Sequence, residues 1–170
     1  INRLITAVKK KETRRLGKAS NADRAFDDDE FSQLVNLLGT QGRLVNRRRF
    51  QAMVKFQVHL IGRSDDMAHI QKGNLEESSQ FSGFLSVKMR WSKNVHDERD
   101  CPKQVILGCL DPTYCPVVGL ALFLEKWIQD GAGATSQWLF GNGVTDSTSP
   151  LKDQDGEAIT TKNNYASAIR

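Results

Sequence analysis

The sequence predicts an α+β fold, mostly helical, with a small antiparallel sheet standing beside a helix bundle. Three observations lead there. Apolar residues recur at helical spacing in several separate segments. One stretch alternates apolar and polar side chains, and a short apolar run follows it across a polar linker.

Taken in order, residues 1–16 carry Leu4, Ile5 and Val8 on one helical stripe before Gly17 and a polar stretch interrupt it, the composition of a linker entering a domain. Asp27 stands where a helix cap belongs, with Glu30 three residues on, and Phe31, Leu34, Val35 and Leu38 then form one face until Gly39. A second helix is expected over Arg47 to Ile61, where Phe50, Met53, Val54, Val58 and Ile61 recur at helical spacing, and it is expected to be largely buried. Leu85, Val87, Met89 and Trp91 alternate with Ser86, Lys88, Arg90 and Ser92, which predicts a half-buried strand. Its antiparallel partner is Gln104 to Leu107, joined to it through a long polar connection from Lys93 to Pro102. Cys115-Pro116 opens a third helix, with proline at the first helical position and Val117, Leu120, Phe123, Leu124 and Trp127 making it strongly apolar. Trp138-Leu139-Phe140 reads as a buried element, 141–158 as a loop, and Thr160 to Arg170 as the start of another helix.

The length of 170 residues suits one domain plus an arm: a basic arm over 1–24 and a domain over 25–170. No apolar run approaches the ~18 residues of a membrane span, and Ile1 to Gly17 lacks the apolar stretch of a secretory signal. An intracellular protein is expected. Cys101, Cys109 and Cys115 are odd in number and form no CxxC pair, so thiols are expected rather than a disulfide framework or a zinc ribbon.

The net charge of +4 is unevenly distributed. Residues 1–24 hold Arg3, Lys9, Lys10, Lys11, Arg14, Arg15, Lys18 and Arg24 against only Glu12 and Asp23, so the arm is +6 and the remainder −2. Arg43 with Arg47, Arg48 and Arg49 makes a second basic cluster. Such clusters suit a polyanion, because each neutralised phosphate releases condensed counterions; a solvated helix face accounts for the charge equally well.

Four segments, in order, resemble the catalytic domain of tyrosine recombinases. Gly62-Arg63-Ser64-Asp65-Asp66-Met67 is similar to the arginine element that ends a buried helix in that family, with Asp66 in place of the commoner glutamate. Trp91-Ser92-Lys93-Asn94-Val95 matches the hairpin where the family carries its lysine, at the exit of the second strand of a three-stranded sheet. Asp111-Pro112-Thr113-Tyr114-Cys115-Pro116-Val117-Val118-Gly119-Leu120 looks like the helix start of the eukaryotic Crypton-type members, and Trp138-Leu139-Phe140 like the step before their active-site helices.

The resemblance implies DNA strand breaking and rejoining through a 3′-phosphotyrosyl intermediate, in the recombination or integration of a mobile element. Arg63 would clamp the scissile phosphate, since its planar fork binds phosphate bidentately and stays charged. Asp66, three residues on, would hold that guanidinium in place. Lys93 would give the leaving 5′ oxygen its proton, with Lys88 as the runner-up. Duplex DNA is the implied partner, met by Lys9, Lys10, Lys11, Arg14, Arg15 and Lys18 of the arm and by Lys88 and Arg90 of the strand. Self-association on DNA is implied for a full-length parent, and a nuclear location if that parent is eukaryotic. The chemistry needs no metal or other cofactor.

His59, His69 and His96 lack metal-ligand spacing, and His59 is expected as a satisfied core histidine. The two tyrosines, Tyr114 and Tyr165, do not occupy the nucleophile's place, so the chain is expected to stop before its nucleophile, with Tyr165 in a frayed terminal helix. Trp91 and Trp127 are assigned to the core. Two other readings fit the same residues: a DNA-binding module that keeps the fold without catalysis, and a helical interaction domain with a basic tail.

Overall fold

The computed structural model describes residues 27–40, 42, 44–90, 101–129, 136–141 and 161–169. The chain divides into two compact units, Ile1–Phe31 and Ser32–Arg170. The basic arm, Arg43, Trp91, Lys93 and His96 lie outside the described residues.

Helix α1 (Asp28–Leu38) begins as its sequence dictates. Glu30 N donates to Asp27 Oδ1 at 2.8 Å and Asp27 N to Glu30 Oε2 at 3.2 Å, a reciprocal capping box that satisfies two otherwise orphaned donors. Val35 and Leu38 are buried on its apolar face.

Helix α2 (Leu44–His59) is largely buried, as expected, but starts and ends earlier than the spacing predicts. Ala52, Met53, Val54, Lys55 and Phe56 are all buried. Successive helical residues stand about 100° apart, so five in a row cover the whole circumference. The helix is central rather than one-faced. The expected stripe holds at Met53 and Val54 but fails at Val58 and Ile61, which are 54% and 93% exposed. At Ile61 it fails because the helix ends at His59, and Ile61 lies in a closing turn with φ at 50°. There Gly62 N donates to Gln57 O at 2.9 Å, and Ile61 N to Val58 O at 3.3 Å. This is the six-to-one closure in which glycine normally occupies the left-handed position.

Short helix α3 (Ser64–Ala68) follows, then a 3-10 turn (Lys72–Asn74) and the sheet. Strands β1 (Leu75–Glu77), β2 (Leu85–Lys88) and β3 (Lys103–Ile106) form an antiparallel sheet in the order β1-β2-β3. The expected pairing of the alternating strand with the later apolar run is present, Leu85 facing Ile106 and Lys88 facing Lys103. The strand ends at Lys88, earlier than alternation predicts. Val87 and Met89 are buried, and so is Ser86, whose hydroxyl donates to Glu76 O at 3.4 Å. The facing lysines would repel; Glu76 lies 3.3 Å from Lys88 Nζ and 2.9 Å from Lys103 Nζ and offsets that. Hydrogen bonds from Lys103 and Lys88 hold its carboxyl below the usual range.

Helix α4 (Pro116–Gln129) starts at Pro116 and packs lengthwise on α2 through Gly119, Leu120, Phe123 and Trp127. A Cβ at Gly119 would stand 3.5 Å from Ala52 Cα, so its bare backbone permits the close approach. Phe140 completes an aromatic cluster, 5.4 Å from Phe56 and 5.9 Å from Phe123 between ring centroids. Helix α5 covers residues 161–168. Tyr165 is fully buried within it, 5.8 Å from the Phe50 ring. The terminal helix is therefore anchored rather than frayed. Among the described residues no helix is long and apolar enough to cross a membrane.

Ile61 pairs near-complete exposure with a left-handed backbone, which costs a β-branched residue about 1–2 kcal/mol. Ile61→Gly should therefore raise stability by about 1 kcal/mol, less whatever glycine adds to unfolded-chain entropy. Denaturant unfolding checks it, and a destabilised variant would show that the strain is absent.

Candidate active site

The turn that ends α2 delivers Arg63. Its backbone is extended, with φ −88° and ψ 161°, and it caps α3 instead of belonging to a helix. Arg63 N donates to Asp66 Oδ2 at 2.9 Å. The expected contact between Asp66 and the guanidinium is replaced by this backbone cap. The reason is geometric: residues three apart face each other on a helix only when both are helical, whereas a cap residue offers its N–H to the third residue. Among the described residues the exposed Arg63 guanidinium has no partner, leaving its donors to solvent.

Three distant segments approach this turn, α3 and the residues just after it. A Cβ at Gly62 would stand 3.8 Å from Met89 Cε, so the residue before Arg63 lies near the side-chain end of Met89, the residue after β2. Leu139 N donates to Ile70 O at 2.7 Å and Lys72 N to Gln137 O at 3.0 Å, tying Trp138-Leu139-Phe140 to the end of α3. Lys162 Nζ of α5 lies 2.9 Å from Asp65 Oδ1. Of the four segments noted in the sequence, Trp138-Leu139-Phe140 is thus tied to the chain just after the Arg63 segment, and residues 91–95 lie outside the described residues. The fourth reaches the middle of α2, where Lys55 Nζ donates to Pro112 O at 2.6 Å.

His69, buried in this cluster, has Nδ1 2.8 Å from Asp65 O, and its ring meets Trp138 edge-on at 5.5 Å. The bond to a carbonyl makes Nδ1 the donor, and Nε2 is the remaining ring nitrogen. The pairing of Asp65 with His69 and with Lys162 was not foreseen from the sequence. The i, i+4 spacing of Asp65 and His69 was a usable signal, whereas nothing local links Lys162 to Asp65. His59 bonds across to β3, with Leu107 N donating to its Nε2 at 3.2 Å, and is satisfied at the sheet edge.

The remaining predicted residues divide. Lys88 is held in the ion pair with Glu76, and Arg90 is exposed just beyond β2. Lys93 and the arm residues Lys9, Lys10, Lys11, Arg14, Arg15 and Lys18 lie outside the described residues. Neither tyrosine is presented as a nucleophile: Tyr114 OH lies 3.0 Å from Ser32 Oγ, and Tyr165 OH donates to Gln57 Oε1 at 2.7 Å. Burial pushes the Tyr165 phenol far above its ordinary value, the opposite of activation. Among the described residues no three His, Cys, Asp or Glu side chains converge to hold a metal ion. No family model matches the chain, and no curated protein or solved structure is significantly similar to it.

Because the Tyr165 phenol ionises far less readily folded than unfolded, its stabilisation is complete below about pH 10 and is lost as pH rises above that value. Unfolding measured from pH 9 to 11.5 should show stability falling more steeply in the natural chain than in Tyr165→Phe. Equal slopes would show that the phenol is not buried.

Proposed function

We propose that this chain handles duplex DNA as part of a strand breaking and rejoining enzyme of the tyrosine-recombinase kind, with Arg63 as its phosphate clamp. The observation that supports the reading is the approach of Gly62, next to Arg63, to the side chain of Met89 just past β2. An arginine that must grip a phosphate and a lysine that must reach the leaving oxygen need to act on one phosphodiester. Lys93 stands four residues after Met89 in the chain.

In the proposed reaction, a tyrosine oxygen attacks phosphorus, the bond to the 5′ oxygen breaks, and charge builds on the non-bridging oxygens. Arg63 meets that charge with paired donors, and preorganised charge of this sort dominates such catalysis. Asp66 contributes by fixing the Arg63 backbone, so the guanidinium keeps its full donor set for the phosphate. Lys93 supplies the proton that the departing 5′ oxygen takes. The burial of Tyr165 and its bond to Gln57 favour a nucleophile other than Tyr165.

Two measurements test this reading. Duplex binding should be weak and steeply salt-dependent, and removal of residues 1–24 should flatten the plot of log K against log salt, since fewer counterions are released. An unchanged slope would take the arm out of the phosphate contact.

The second is a trap assay on a nicked duplex that captures phosphotyrosyl adducts. Residues 1–170 alone should yield none, and a longer product of the same reading frame should yield one. In that longer protein, Arg63→Lys should keep binding nearly intact while lowering adduct formation roughly 10²–10³-fold. Binding without any adduct would favour a module that keeps the fold and lacks catalysis.

A further inference from the structure

A cavity of about 210 Å³ opens between α1, α2, the 111–114 turn and α4, lined among others by Asn36, Arg48, Gln51, Lys55, Pro112 and Thr113. It has the room of about seven water molecules, below the size of a drug-like site. Lys55 enters it from the all-round buried stretch of α2 and is only 6% exposed. Gly119 makes the passage: a Cβ there would stand 3.0 Å from Lys55 Cδ, so the aliphatic stem runs over a residue without a side chain.

The lining holds two cations and no acid. An ammonium has three donors, and one of them meets Pro112 O at 2.6 Å. Among the described residues neither Lys55 nor Arg48 has a carboxylate partner, and Thr113 N donates to the nearby Asp111 Oδ1 at 2.7 Å. Burial first, and then the Arg48 charge, pull the Lys55 amine below its ordinary value, although Cys115, Cys109 and Asp111 act the other way. A buried charge normally comes with a counter-charge in contact with it, and the group that Lys55 Nζ touches here is a neutral carbonyl.

We propose that this cavity is an anion site for a phosphoryl group, with Lys55 and Arg48 as its cationic donors. Two positive charges match a dianion, and the guanidinium fork matches two of its oxygens. Lys55 supplies a point charge from the floor. Asn36, Gln51 and Thr113 line the rest with amide and hydroxyl groups suited to the remaining oxygens. The site is separate from the Arg63 turn and does not rest on the reading of the chain as a recombinase.

The test is calorimetric titration of residues 1–170 with inorganic phosphate at fixed ionic strength, in an Arg63→Gln background so that the proposed clamp contributes nothing. One phosphate should bind, and Lys55→Met and Arg48→Gln should each weaken it roughly tenfold or more. Lys55→Met keeps the stem; should it fail to fold, the half-exposed Arg48→Gln decides alone. Undiminished binding in Arg48→Gln, no binding in the parent, or acetate binding as tightly as phosphate would overturn the proposal. A competing duplex identifies the source. Displacement of phosphate assigns the site to a DNA backbone phosphate, and simultaneous binding assigns it to a small phosphate ester; either result retains the site.

Discussion

The fold depends on α2 being enclosed on every side. Five consecutive buried residues, Ala52 to Phe56, leave no face for water, so the neighbouring elements must surround it. They do so by different means. Gln51 Nε2 reaches Val35 O of α1 at 2.9 Å, Gly119 lets the α4 backbone approach Ala52, Phe140 seats its ring against Phe56, and Gln57 holds Tyr165 of α5. A helix fixed on so many sides cannot shift along its axis without breaking contacts on all of them. Its last turn is therefore a fixed point, and Ile61 can be kept in a left-handed conformation that an isoleucine would not choose.

Arg63 inherits that fixity through its backbone, not through its side chain. Had Asp66 gripped the guanidinium, an incoming phosphate would have had to displace a carboxylate before binding. With Asp66 spent on the Arg63 N–H, the acid orders the chain while the cation stays available. The same economy appears in the sheet, where Glu76 takes up Lys88 and Lys103 and so commits Lys88 to holding strands together. Of the charges near the turn, those in ion pairs belong to the scaffold, and Arg63 stands apart from them.

What the sequence made legible was local. The Asp27 and Glu30 cap, the proline opening α4, the pairing of β2 with β3 and the burial of Trp138 to Phe140 each follow from residues close together in the chain. That α2 is largely buried was legible in its apolar residues, but the burial of Lys55 was hidden, because a lysine in the midst of a helix reads as a polar face. The capping role of Asp66 was hidden because Arg-x-x-Asp is the same string whether the arginine lies inside a helix or caps it. Lys162 with Asp65, and Tyr165 with Gln57, join residues about a hundred positions apart, and no periodicity reports such pairs. The resemblance to tyrosine recombinases included a three-stranded sheet, and the chain has one, although β1 had no alternation long enough to announce it.

Arg63 and Lys55 carry the same charge on the same helix system at opposite cost. Arg63 stays hydrated at the helix end, where a cation costs little to keep. Lys55 is desolvated in the middle of the core, against a single carbonyl, at a position where methionine would fill similar space without a charge to satisfy. Packing alone therefore favours an apolar residue at 55. A group that binds the folded chain there repays the desolvation each time it binds and stabilises the fold by mass action, which gives the lysine a reason that packing does not.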